Sequence, residues 1–208
     1  MDEGSREEVR RASGFGFRVL ANAVIKVVIT MREKKSTNAT AKKAFADFSP
    51  AEAERQLDSF LAKYDPEVEA FARRTLAKMR RIVPGAVEMV YDNYNWLVIG
   101  FSPTERPSEA IFSIVLPAGR VTLCFLQGAG LPDPAKRLRG AGHVVRNLRL
   151  YDVGKPDAKV LDDPEVRALM NLALNRAKVP MPGGARRKLV IRAISARQRP
   201  RRLAPGKK

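Results

Sequence analysis

Four short segments between residues 86 and 127 most constrain what this chain can fold into. AVEMVYD (86–92), WLVIGF (96–101), AIFSIVL (110–116) and VTLCFLQ (121–127) are rich in β-branched and aromatic residues, with turn-forming residues between them. Such side chains suit a half-buried pleated surface, and turn residues between the runs mark hairpins. Pro117-Ala118-Gly119-Arg120 is a compact hairpin connection. A fifth run, HVVRNLRLY (143–151), follows a longer stretch containing glycine and proline. Consecutive strands joined by tight turns pair antiparallel, so a mostly antiparallel sheet of five strands is expected.

Helix signals flank this sheet. Ser49-Pro50-Ala51-Glu52 is a capping box with proline at the first helical position. The helix it opens is expected to run to about Lys63, with Ala53, Leu57, Phe60 and Leu61 as its apolar stripe. Asp65-Pro66-Glu67 opens a second helix, with Val68, Phe71, Ala72, Leu76 and Met79 at helical spacing, and Pro84-Gly85 ends it. Asp163-Pro164-Glu165 caps a third, which runs to about Lys178 and turns Val166, Leu169, Met170 and Ala173 to one side. Helices at both ends of a mostly antiparallel sheet make a two-layer α+β domain over residues 49–178. A short strand, KLVIRAIS, is expected at 188–195 within an otherwise extended basic tail, 179–208.

The net charge of +17 is unevenly spread. Residues 1–57 hold 11 basic and 8 acidic side chains, +3; residues 58–177 hold 17 and 14, again +3; residues 178–208 hold 11 and none, +11. Phosphate affinity follows local basic density, so the C-terminal segment is where polyanions are expected to bind. Arg186, Arg187, Lys188, Arg197, Arg199, Arg201 and Arg202 are the expected contacts. That segment has no aromatic residue, so the contact is expected to be weak, non-specific and salt-sensitive, whether with nucleic acid or another polyanion. Removing everything after Lys178 is expected to leave the fold largely intact, apart from any strand at 188–195. A solvated, disordered extension is the plainer reading of the same residues.

The N-terminal segment is read separately. Phe17–Met31 is apolar and follows arginines, as a signal peptide does, but it is short for a bilayer span and interrupted by Lys26. The cleavage-like Ala39-Thr40-Ala41 lies beyond a charged stretch, Arg32-Glu33-Lys34-Lys35. Met31 is therefore read as the start, and residues 1–48 as an upstream-translated or disordered lead-in. One cysteine leaves no intramolecular disulfide, which favours a reducing, cytoplasmic setting without membrane attachment. With one histidine as well, no zinc-type ligand cluster can be assembled, and no cofactor or metal is assigned.

Candidate chemistry lies on the strands and their connections. Gly128-Ala129-Gly130 and Gly140-Ala141-Gly142 form neither a dinucleotide fingerprint nor a Walker loop, and read as tight turns. An anion site made by Lys136, Arg137 and Arg139 is the functional alternative. In HVVRNLRLY, alternation puts Val144, Arg146, Leu148 and Leu150 on one face and His143, Val145, Asn147, Arg149 and Tyr151 on the other. Arg146 on a leucine face requires a partner, and Glu88, Asp133 and Asp163 are the candidates; the alternative is a guanidinium held for an anionic ligand. YDNYNW (91–96) reads as a hairpin turn, yet its aromatic and amide groups also suit a ligand pocket or base stacking. Cys124 reads as a small buried residue, against a dyad with His143 for which no nucleophile motif is present.

VYDNYNWLVIGFSPTERPSEAIFSIVL and VTLCFLQGAGLPDPAKRLRGAGHVVRNLRL resemble the YdhG-like domain family, a bacterial family largely of unknown function. The resemblance covers roughly residues 58–177, with an echo in AISARQRPRR (193–202); the glycine, Asp-Pro and arginine pattern at 128–146 carries most of it. It implies a small α+β fold with helices on one sheet face. One branch of the family is associated with a frataxin-like iron-chaperone role, from which the slightly basic body of this chain departs. The reading that results is a non-catalytic binding domain, with Tyr91, Asp92, Tyr94, Trp96, His143 and Arg146 around a small anionic ligand. An iron-handling role through Asp92, Asp133 and His143, and a thiol-dependent enzyme using Cys124, are the alternatives.

Overall fold

The computed structural model describes residues 48–152, 155–157, 159–184 and 187–203. Phe17–Met31, Ala39-Thr40-Ala41 and Arg186 lie outside the described residues. Helix α1 is Pro50–Leu61 and α2 is Pro66–Ile82. The capping box closes as expected: Ser49 Oγ accepts the Glu52 N–H at 3.3 Å, and Glu52 Oε2 accepts the Ser49 N–H at 2.8 Å. The buried residues of both helices include every apolar position that the spacing picks out. Asp65 makes no side-chain cap bond; its carboxylate takes the Leu203 N–H at 3.3 Å instead.

The strands follow in order: β1 (Val87–Asp92), β2 (Leu97–Ser102), β3 (Phe112–Leu116), β4 (Arg120–Phe125), β5 (Arg146–Asp152) and β6 (Lys155–Pro156). Helix α3 (Pro164–Asn175) and β7 (Lys188–Ile194) follow. Asp163 caps α3 by accepting the Glu165 N–H at 2.9 Å. Strands β1 to β5 form the expected antiparallel meander.

The sheet as a whole is mixed, in the order β6-β5-β4-β3-β2-β1-β7. Two-residue β6 extends one edge, and β7 pairs parallel with β1 at the other. Five antiparallel strands are thus corrected to six principal strands, one of them parallel, plus the short β6. A parallel neighbour requires a crossover, and the segment containing α3 supplies it by carrying the chain from one edge to the other. The segment read as a tail is therefore, from residue 187 to 203, part of the domain.

The pleat sorts the side chains into two clusters. Val90, Leu97, Ile99, Phe101, Phe112, Ile114, Leu116, Leu123 and Phe125 join the three helices in the main core. Met89, Tyr91, Val98, Val115, Cys124 and Val145 belong to a second cluster that holds no residue of the three helices. Strand β5 departs from the alternation read in the sequence. Its register slips between Val121 and Thr122, which pair with Tyr151 and Arg149. Leu150 is the extra residue, so Leu148, Leu150 and Tyr151 all reach the main core.

Candidate functional site

On β1 the side chains of Glu88, Val90 and Asp92 share one face, the face covered by the helices. Two carboxylates thereby enter an apolar layer, with residue exposures of 1% for Glu88 and 0% for Asp92. A buried charge left unpaired costs several kcal/mol, so each carboxylate must collect cations. Glu88 takes Arg80 Nε at 2.9 Å and Nη2 at 2.8 Å from α2, and Arg187 Nη1 at 3.2 Å from the approach to β7. Arg187 also pairs with Glu54 of α1.

Asp92 anchors the C-terminal segment. Its carboxylate accepts Lys63 Nζ at 2.6 Å, Gln198 Nε2 at 2.6 Å and Arg201 Nη2 at 2.8 Å. Arg201, read in the sequence as an exposed polyanion contact, is corrected to a buried ion-pair residue only 4% exposed. It also donates to the Asn93 carbonyl, while its Nε and Nη1 are buried without a partner. Beneath it, Tyr64 donates to the Leu116 carbonyl at 2.6 Å and accepts the Leu97 N–H at 3.1 Å. Burial pushes the Tyr64 phenol up to about 12, against the opposing pull of Arg201.

Backbone bonds continue this attachment past the end of β7. Ser195 N–H donates to the Asp92 carbonyl and Arg199 N–H to the Tyr94 carbonyl, each at 2.8 Å. The β1–β2 turn itself is closed by Asn93 N–H to the Trp96 carbonyl at 3.0 Å. The hairpin tip and the arginine segment are therefore one surface. Tyr94 is 48% exposed, and the Arg199 guanidinium sits 5.6 Å from its ring centroid. Arg197 and Arg202 are exposed as well, with Arg202 Nε reaching the Tyr64 carbonyl at 3.3 Å. Among the described residues, no carboxylate pairs with Arg197, Arg199 or Arg202. Lys188 differs: it pairs with Glu105, whose carbonyl also accepts Arg192.

The six residues read as one ligand site are not brought together. Tyr91 belongs to the second cluster, whereas Asp92 turns to the helices and is enclosed by its partners. Trp96 packs against the second cluster and Tyr94 stands out at the turn. Arg146 lies on β5, four strand positions from β1 and so roughly 19 Å away at the usual spacing. Its expected carboxylate partner is corrected to two carbonyls: it donates to Gly142 and, at 2.9 Å, to Val145. The carboxylates expected in that role are engaged elsewhere. Asp133 accepts the Arg137 and Leu138 N–H groups at 2.9 and 2.7 Å, and Asp163 pairs with Arg137.

His143 is exposed, while Cys124 is 3% exposed with its thiol pushed by burial up to about 12. No hydrogen bond joins the two among the described residues. The described residues hold no group of three or more His, Cys, Asp or Glu placed to hold a metal ion. They also hold no helix long and apolar enough to cross a membrane. The glycine-rich loop has the geometry of turns: Gly130 and Gly140 adopt φ of 76° and 112°.

Lys63, Tyr64 and Gln198 escaped the sequence reading. The signal available for them was indirect: Asp92 shares the parity of Val90, and a carboxylate on a core face demands a cation from elsewhere. Comparison of the chain with protein families, with curated proteins and with solved structures found no match.

Proposed function

We propose that the protein is a non-catalytic binding domain that contacts polyanions through its C-terminal arginine segment. The supporting observation is that Arg197, Arg199 and Arg202 are exposed and unpaired by any carboxylate among the described residues, on a segment fixed to the β1–β2 hairpin. No acidic residue follows Glu165 in the sequence. Guanidinium groups on a fixed backbone neutralise phosphates or sulfates by displacing condensed counterions, and such binding falls steeply with salt. Anchoring matters here because a segment already ordered loses less entropy on binding than a free tail.

Retention on heparin against increasing salt tests this reading. Replacing Arg197, Arg199 and Arg202 together by Gln is expected to lower the slope of log affinity against log salt by about 3, near one unit for each guanidinium removed. Unchanged elution of the folded triple variant would move the site elsewhere. The expectation that truncation spares the fold is revised on structural grounds. Removing the chain after Lys178 takes away β7 and leaves Asp92 without Arg201 and Gln198, so the truncated protein tests stability rather than binding.

A further inference from the structure

We propose that the interface takes single-stranded nucleic acid in preference to duplex, with the Tyr94 ring as a stacking platform for a base. This rests on the polyanion reading above and adds a partner class to it. The fold makes an unusual pairing of sequence elements. The arginine segment carries no aromatic residue, but it is laid along a hairpin whose tip, Tyr94-Asn95-Trp96, supplies two. Among the described residues, Tyr94 is one of three large apolar side chains that are exposed. It is not the tip of a core residue: its neighbours across the turn close the hairpin without it, through Asn93 and Trp96.

The Arg199 guanidinium approaches the ring, and the remaining surface of a ring that is 48% exposed is open to a second planar group. A base placed there gains π contact with the ring, and its phosphate lies beside a segment bearing three arginines that no carboxylate pairs among the described residues. Stacking of this kind requires unpaired bases, because a duplex hides base faces inside its own stack. It is also tolerant of sequence, since every base offers a π face. The half-buried Trp96 in the same turn is the chain's single tryptophan, which makes the turn optically addressable.

The experiment uses the full chain with three probes: oligothymidylate, the same strand annealed to its complement, and heparin, which has charge but no bases. Trp96 emission and fluorescence anisotropy of labelled probes are the readouts. Oligothymidylate is expected to bind more tightly than duplex and to change Trp96 emission, whereas heparin binds without a comparable change. Tyr94→Ala is expected to weaken oligothymidylate roughly tenfold and to leave heparin unaffected, while Tyr94→Phe, which keeps the ring, behaves as the parent protein. Equal loss of oligothymidylate and heparin in Tyr94→Ala would overturn the stacking role, since the ring would then serve only to position Arg199. Duplex binding as tight as single strand would overturn it too, but with heparin retained the polyanion reading stands. Failure of the parent protein to bind all three probes would remove both.

Discussion

Two arginine-rich regions lie toward opposite edges of the sheet and have met different fates. In the loop and strand from Lys136 to Arg149, most of the charge is tied into the fold. Arg137 pairs with Asp163, Arg146 is held by two carbonyls, and Arg149 pairs with Asp152 at 2.6 Å. In the segment from Arg187 to Arg202, the buried Arg201 and the more exposed Arg187 and Lys188 are used in the same way, by Asp92, by Glu54 and Glu88, and by Glu105. Its last stretch of chain then presents Arg197, Arg199 and Arg202 at the surface, ion-paired to no carboxylate among the described residues. Basic density in the sequence is thus a poor guide to basic surface. What separates the regions is where the carboxylates stand in the fold, and this can be tested by attacking each region in turn.

The hardest blow to the C-terminal region is Asp92→Ala. It removes the buried acceptor and strands Arg201, with Lys63 left facing the gap. Breaking a buried pair by deleting one partner costs about 3–5 kcal/mol, and urea denaturation of the variant is expected to register a loss of that size. Heparin retention should weaken with it, because the segment loses its anchor. A loss below about 1 kcal/mol would mean that the segment does not depend on Asp92, and the distinction between the two regions would fail.

This dependence explains what the sequence made legible and what it did not. The capping box at Ser49, the helical stripes and the meander strands are set by residues a few positions apart, and periodicity and turn chemistry report such local choices well. Strand β7 pairs with β1 across about a hundred residues, Val87 opposite Lys188, and nothing near KLVIRAI announces that partner. The same holds for Arg201, which is chemically identical to Arg199 in sequence and opposite to it in burial. The Leu150 bulge is another non-local choice: it depends on the register with β4, and strict alternation put Tyr151 on the wrong face. Of the candidate site, the arginines and the YDNYNW turn were legible as separate features; their union was not.

Alkaline pH weakens the hairpin side by a smaller step. The Tyr64 phenol is raised by burial from 10.0 to about 12 in the folded chain. Below pH 10 the phenol is neutral in both folded and unfolded chains, and the contribution of Tyr64 is fully present. Above it the unfolded chain ionises first, so stability is lost as pH rises toward the folded value, by about 1.4 kcal/mol per pH unit. Cys124, raised from 9.0 to about 12 by burial, adds a loss of the same sign that starts one unit lower. Stability of Cys124→Ala is therefore expected to decline from about pH 10 rather than about pH 9, measured by urea midpoints across that range. An identical profile in the variant would show that Cys124 is not buried in the folded protein.

The loop region is struck by Gly128→Ala. A Cβ at this position lies 2.8 Å from the Cβ atoms of both Arg146 and Phe125, closer than packed carbons approach. Relief requires β4 and β5 to shift locally, for a cost of about 1–3 kcal/mol. Polyanion binding should be unchanged in the folded variant, since the C-terminal arginines are attached elsewhere. Heparin affinity falling in step with stability would join the two regions into one surface.

The smallest effect should come from Lys136→Gln with Arg139→Gln, and it sharpens the comparison most. Both residues are exposed, so by exposure alone they resemble Arg197 and Arg202. They sit at the loop that bridges the far side of β5 through Arg139 and Asn147, five strand positions from β1, whose hairpin holds the arginine segment. At the usual strand spacing this is roughly 24 Å, more than two Debye lengths at physiological salt, so their field at the C-terminal arginines is largely screened. Charge added or removed there changes the net charge of the protein by as much as any two arginines, but not the local density that phosphates sense. The double variant should elute from heparin close to the parent protein and keep its salt slope, whereas the C-terminal triple variant loses most of its retention. A double variant that loses as much as the triple would mean that a long polyanion spans both regions. Shortening the heparin chain would then restore the difference, because a chain too short to bridge roughly 24 Å can engage only one edge at a time.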